Sequence, residues 1–179
     1  MGFSRHTDRL FFAVCPNETT AASIVDLAWD FRDDYALRGL PLLPQHIHST
    51  LWHVGDDFFP PPDELIQALS WRAGAVRMPP FRASFDHVES FGGGALALRG
   101  HDGVAGLEIL HAKLGNALGI ASRKSAGAAF TPHVTLLRDK RRLELKPIPP
   151  IEWTVTEFVL VHSLLGKTVH RHLARFPLG

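Results

Sequence analysis

His133-Val134-Thr135-Leu136-Leu137-Arg138 is the stretch on which the fold turns. It echoes a segment 85 residues earlier, His48-Ser49-Thr50-Leu51-Trp52-His53. Both read His-x-Thr-Leu, and among the 11 histidines only these two stand two places before a threonine. In a strand, residues i and i+2 face the same way, so each motif presents an imidazole and a hydroxyl side by side. Working outward, the same order of elements precedes each motif. Arg9 to Val14 (RLFFAV) reads as a buried strand, a helix runs from about Ala21 to Leu37, and the first motif lies on a strand from His46 to Val54. Later, Ala95 to Arg99 (ALALR) is a short apolar strand, a helix covers about Val104 to Leu118, and the second motif strand follows. A repeated strand–helix–strand unit predicts an α/β (α+β) protein of two pseudo-symmetric lobes, with the motif strands meeting across a central groove.

Local signals place the remaining elements. Asn17 is a helix cap, and Ile24, Leu27, Ala28 and Phe31 recur at the spacing of one helix face. Gly39 is the expected stop, with Pro41 and Pro44 beyond it. Pro60-Pro61-Pro62 opens a second helix over about Asp63 to Trp71. Phe81 to Val88 alternates as a strand, and Gly92-Gly93-Gly94 is a turn, because a phosphate loop needs a helix directly after it. Asp102 caps the third helix, which aligns Leu107, Leu110, His111, Leu114 and Leu118 and stops at Gly119. Ser122 to Ala129 reads as a small-residue loop and Arg138 to Pro150 as a basic, proline-ended loop. Trp153 to His162 and Thr168 to Phe176 read as the last two strands, joined around Gly166.

Length and composition set outer limits. The 179 residues suit a single two-lobed domain over 1–179, and 45% hydrophobic with 21% charged residues is ordinary for a folded chain. Cys15 is the single cysteine, so no internal disulfide forms, which fits a reducing compartment. No apolar run reaches membrane-span length, and Met1 to Arg9 lacks a signal-peptide stretch; a cytoplasmic protein without membrane contact is expected. A formal net charge of +1 is not that of a protein coating long nucleic acids by charge alone. The cluster Arg138, Lys140, Arg141, Arg142 and Lys146 reads either as a solvated loop or as a contact to a short RNA end.

Taken together, RLFFAV, the first HSTL, the run Phe130 to Arg138 (FTPHVTLLR) and the closing Phe176-Pro177-Leu178 resemble the two-histidine phosphoesterase superfamily. Within it the likeness is to the bacterial 2'-5' RNA ligase, or RNA 2',3'-cyclic phosphodiesterase, family, over nearly the whole chain and in order. The resemblance implies a bilobal fold whose two antiparallel sheets frame a groove, helices outside, and no metal or other cofactor. It implies hydrolysis of RNA 2',3'-cyclic phosphate ends to 2'-phosphates, with reversible 2'-5' ligation in some members. Carried over by position, His48 and His133 are the catalytic pair, and Thr50 and Thr135 hold the phosphate. Arg138 matches a basic position of the pattern. The first motif departs from it: Trp52 and His53 stand where a basic residue and Phe often follow.

The chemistry suits these residue types. Charge builds on the non-bridging phosphate oxygens as water attacks, and hydroxyls and a guanidinium stabilise it. One imidazole takes a proton from water and the other gives one to the leaving oxygen, as pKa values near neutrality allow. His133 is assigned as proton acceptor and His48 as proton donor. Strict alternation aims Arg138 away from His133, so it reaches the phosphate only if the strand ends or bulges there. Phe11 and Trp52 are candidates for stacking on a base, Trp52 because alternation gives it the face of His48 and Thr50. Phe11 otherwise reads as core. His46-x-His48 and His170-x-His172 each have chelate spacing but lack an obvious carboxylate or cysteine set. The expected partners are RNA ends or small cyclic nucleotides, with no obligate protein partner. Two further functions stay open: a phosphodiesterase for a small cyclic nucleotide or ADP-ribose derivative, and a non-catalytic RNA- or nucleotide-binding module.

Overall fold

The computed structural model describes residues 6–120 and 129–179, so most of the small-residue loop expected over Ser122 to Ala129 lies outside the described residues. Eight strands and three helices are described: β1 (Asp8–Val14), α1 (Glu18–Asp34), β2 (Ser49–Asp57), α2 (Asp63–Ala73), β3 (Phe81–Phe91), β4 (Ala95–Arg99), α3 (Ala105–Leu118), β5 (Val134–Arg138), β6 (Lys146–Val155), β7 (Glu157–Leu164) and β8 (Val169–Pro177). The strands form two four-stranded sheets, β2-β1-β7-β8 and β5-β4-β3-β6, with every described pair antiparallel. Each motif strand is an edge strand, and each pairs with the strand that precedes its helix. The repeated unit is thus β1-α1-β2 in one lobe and β4-α3-β5 in the other.

Alternation decides what each sheet face meets. Leu10, Phe12 and Val14 of β1 point to the helix side, joining Ile24, Ala28 and Phe31 of α1 in a core that also holds Leu96, Leu98, Leu107, Leu110 and Leu114. Phe11 and Ala13 point the other way and form a smaller apolar cluster with Val159 and Val161. The helices cover the outer faces, and the inner faces are left for the groove.

Caps and turns explain the ends. Asn17 Oδ1 accepts from the Thr20 amide at 2.9 Å. Gly119 closes α3 at φ 71°, a left-handed value that glycine adopts freely. Gly39 is not the stop of α1. The helix ends at Asp34, Ala36 takes the positive φ of 49°, and Gly39 packs so closely that a Cβ would stand 2.0 Å from the Arg138 carbonyl oxygen. Asp102 makes no side-chain cap; it heads a short 3-10 turn before α3.

Two stretches differ from the sequence-based expectation. Lys146 to Pro150 is not loop but the start of β6, where Pro147 lies opposite His87. An edge strand tolerates proline because its outward amides have no partner to lose. Trp153 to His162 is not one strand but the end of β6 and the start of β7, in different sheets. The alternation of Trp153 and Val155 breaks at the polar pair Thr156-Glu157, but no Gly or Pro marks the change of sheet there. No described helix is long and apolar enough to cross a membrane.

Candidate active site

The groove between the motif strands has a volume of about 660 Å³ and is lined by His48, Thr50, His133, Thr135 and Arg138, with Phe11 in its floor. The turn joining β7 to β8 overhangs it through Leu164, Leu165 and Gly166.

Each motif histidine stands one residue before its strand, and the two are held alike. Nδ1 of His48 donates to the His46 carbonyl at 2.7 Å, and Nδ1 of His133 donates to the Thr131 carbonyl at 2.9 Å. A carbonyl oxygen only accepts, so each neutral imidazole keeps its hydrogen on Nδ1 and leaves Nε2 as the basic nitrogen. An aromatic ring packs on each: Phe11 lies 5.0 Å from His48 and Phe91 4.4 Å from His133, centroid to centroid.

The pKa values of both histidines are lowered. For His48 the chief cause is burial, opposed by the bond to His46 and aided by repulsion from His133, His46 and His172. For His133 burial again leads, opposed by the bond to Thr131, with the permanent charges of Arg99 and Arg138 adding to it. His170 is pushed down to about 4, by burial first and then by His48, His46 and His172. Its ring lies 4.4 Å from that of His46 and 5.5 Å from that of His48.

A matched pair of bulges orients the motifs. Between β1 and β2 the register passes from Phe12 opposite Trp52 to Ala13 opposite Thr50, leaving Leu51 unpaired. Between β4 and β5 it passes from Leu96 opposite Leu137 to Ala97 opposite Thr135, leaving Leu136 unpaired. One extra residue sends two successive side chains to the core and returns the next to the inner face. Leu136 and Leu137 are accordingly buried, and Arg138 lines the groove, its Nη1 donating at the groove's edge to the Gly93 carbonyl at 3.1 Å.

The same bulge corrects the expectation for Trp52. Trp52 does not face the groove; it is 8% exposed, its ring stacks on His111 at 4.2 Å, and its Nε1 donates to the His111 carbonyl at 2.8 Å. The residue returned to the groove is His53, the counterpart of Arg138. Asp56 accepts from His53 Nε2 at 2.7 Å and from both ends of the Arg9 guanidinium at 2.8 and 2.7 Å. Arg9 above all holds that carboxyl well below the usual range.

His111 links the two motifs. Its ring lies between Trp52 and Phe130, 3.9 Å from the latter, and its Nδ1 donates to the Leu51 carbonyl at 2.8 Å. The first bulge is thereby packed against the segment leading into His133. Sequence reasoning missed this tie, and also His53, His170 and Arg99 as neighbours of the site. Laying HSTLWH over HVTLLR would have exposed His53; no local signal marks Arg99. The chelate pairs come together as packed rings of His46, His48 and His170, but among the described residues the His/Cys/Asp/Glu group whose ligand atoms lie close enough to hold one metal ion is Asp86, His87 and His101, away from both motifs in sequence.

Two antiparallel sheets around a groove, each edged by a His-x-Thr strand, define a bilobal α+β phosphoesterase architecture. The chain belongs to the 2'-5' RNA ligase superfamily, whose model matches residues 46–167. It is 30% identical, over 95% of its length and 96% of the relative's, to a protein of Escherichia coli (strain K12) named RNA 2',3'-cyclic phosphodiesterase. The crystal structure of E. coli LigT in apo form matches with a TM-score of 0.74 at 29% identity, covering 97% of this chain and 99% of that one. LigT complexed with 3'-AMP matches with a TM-score of 0.76 at 26% identity, covering 96% and 98%.

Proposed function

We propose that this protein hydrolyses 2',3'-cyclic phosphate ends of RNA to 2'-phosphates, with His133 as proton acceptor and His48 as proton donor, and that residues 1–179 work as one two-lobed unit. The observation that carries the reading is the paired presentation of two imidazoles. Each is pinned through Nδ1 to the carbonyl two residues back, with a threonine of its own motif lining the same groove. Membership in the superfamily and the name of the E. coli relative support the substrate class. The likeness to LigT, crystallised with 3'-AMP, supports a nucleotide in this groove.

In the proposed reaction, Nε2 of His133 takes a proton from water as its oxygen bonds to phosphorus. The bond from phosphorus to the 3' oxygen breaks, and that oxygen takes the proton from Nε2 of His48. Thr50, Thr135 and Arg138 donate to the non-bridging oxygens, where charge accumulates. The neighbours support this assignment of roles. Burial first, and then the permanent positive charges of Arg99 and Arg138, favour the neutral form of His133, which suits a proton acceptor. His48 is lowered chiefly by burial and faces other histidines in place of permanent cations, so an approaching phosphate anion favours its charged, donating form. With the 5'-hydroxyl of a second RNA end in place of water, the same forward steps give a 2'-5' bond; run backwards, they cleave that bond to the cyclic phosphate and a free 5'-hydroxyl. A cytoplasmic setting is part of the proposal: the lone Cys15, its thiol pushed up to about 11 by burial, is a poor nucleophile and suits a protein without disulfide chemistry.

The test compares a 2',3'-cyclic mononucleotide with an oligonucleotide ending in the same group, with the product phosphate assigned by phosphorus NMR. Formation of 2'-phosphate with excess chelator present is the expected result. A 3'-phosphate product would overturn the leaving-group assignment. Absence of turnover on both substrates would leave a binding module as the reading.

A further inference from the structure

A second hollow, of about 990 Å³, adjoins the groove, and Arg138 lines both. Five of its lining residues are cations, Arg38, Arg138, Lys140, Arg141 and Arg142, against one carboxylate, Asp139. The whole chain carries only +1, so the remainder is net acidic and the positive charge is gathered here.

Asp139 is spent on backbone. Its Oδ2 accepts from the amides of Arg38 at 2.6 Å and Gly39 at 2.8 Å, and its Oδ1 accepts from the Arg141 amide at 2.8 Å. The carboxylate clasps segment 36–39 to segment 138–142, and the tight approach at Gly39 seats one against the other. The Arg141 guanidinium donates to the Tyr35 carbonyl at 2.9 Å. Arg38, Lys140 and Arg142 are exposed and form no ion pair among the described residues. Holding like charges together is unfavourable until an anion arrives.

We propose that this pocket binds the phosphodiester backbone of an RNA chain whose cyclic end occupies the groove, through Arg38, Lys140 and Arg142. The inference rests on the reaction proposed above and extends it from the terminal nucleotide to the chain behind it. A strand leaving the groove past Arg138 enters the cationic pocket directly. Long, flexible cations read backbone and not bases, which gives affinity without sequence preference.

The experiment follows binding of a fluorescent octanucleotide ending in a 2'-phosphate by anisotropy over a salt series, with cyclic-mononucleotide hydrolysis measured in parallel. The variant is Arg38→Glu/Arg142→Glu, and the control Lys113→Glu/Arg171→Glu makes the same charge change at exposed sites outside the pocket. Octamer affinity should fall about tenfold or more in the pocket variant at low salt, and its salt slope should drop by ~0.7 per lost contact. Mononucleotide turnover should stay within about twofold, and the control should bind the octamer as the wild type does. Unchanged octamer affinity in the pocket variant, or an equal loss in the control, would overturn the proposal. So would loss of inorganic pyrophosphate binding with octamer binding intact, the mark of a free-anion site. Because anisotropy reads the pocket without turnover, a wild-type protein inactive on the mononucleotide would count against the reaction and leave this test standing.

Discussion

An imidazole whose Nδ1–H is committed to a carbonyl has one nitrogen left for chemistry, and both motif histidines are held in that state. If they form an acid–base pair, His48→Ala and His133→Ala should each lower kcat by ~10²–10⁴-fold. Two members of one catalytic unit lose less together than the product of their separate losses, so the double variant should fall short of it. Melting curves beside the kinetics separate this from unfolding; a variant that is inactive only because it melts would refute the assignment. Thr50→Val and Thr135→Val remove a donor while keeping shape. A hydrogen bond to a charged group is worth about 1.5–3 kcal/mol, so kcat/KM should drop by roughly 10–200-fold in each. Wild-type rates would mean that these hydroxyls never touch the phosphate.

The element that decides the site is the bulged edge strand. In β5 it turns Arg138 into the groove; in β2 it buries Trp52 and returns His53. Arg138→Ala should therefore reduce kcat/KM on a cyclic mononucleotide as well as on RNA, because both contain the phosphate; normal mononucleotide kinetics would remove Arg138 from the phosphate site. Trp52→Phe has the opposite signature. It removes the indole bond to the His111 carbonyl, which keeps its helical partner in α3, a loss of about 0.5–1.5 kcal/mol. Tm should fall while KM stays near the wild-type value. A raised KM with unchanged Tm would show that the indole meets substrate after all.

At the scale of the molecule, the inner face gathers histidines that fold in their neutral form. His48, His133, His170 and His172 all have lowered pKa values, with burial the leading cause in each. A base whose folded pKa is depressed leaves the unfolded chain holding more protons at acid pH, so stability rises with pH there. That contribution is present above the unfolded value of 6.5 and is lost as pH falls from there toward about 4, the value for His170. Tm should decline over that window, and His170→Gln should flatten the decline; an unchanged slope would discount the cluster. Kinetics share the cause. The kcat/KM profile should be bell-shaped and centred on the acid side of 6.5, and the kcat profile should move to higher pH, because a bound phosphate anion favours the imidazolium.

Much of this was legible in the chain by itself. The two His-x-Thr-Leu segments, the strand–helix units before them, the Asn17 cap and the Gly119 stop are local patterns, written by side-chain periodicity and by residues whose backbone preferences need no neighbour. The two repeated lobes and the motif residues that line the groove, His48, Thr50, His133 and Thr135, could be drawn from them. What only the tertiary structure decided is how those patterns are read out in space. A bulge depends on the register between two strands, so the positions of Trp52, His53 and Arg138 followed from β1 and β4 and not from their own alternation. Pro147 is acceptable in β6 because that strand lies at a sheet edge, and Thr156 marks a change of sheet that no Gly or Pro announces. The Asp139 clasp joins residues about a hundred positions apart, and its cations form a pocket only once two loops are brought together. Local sequence encodes each element's preference; which element it meets is set by long-range packing, which no window of neighbouring residues contains.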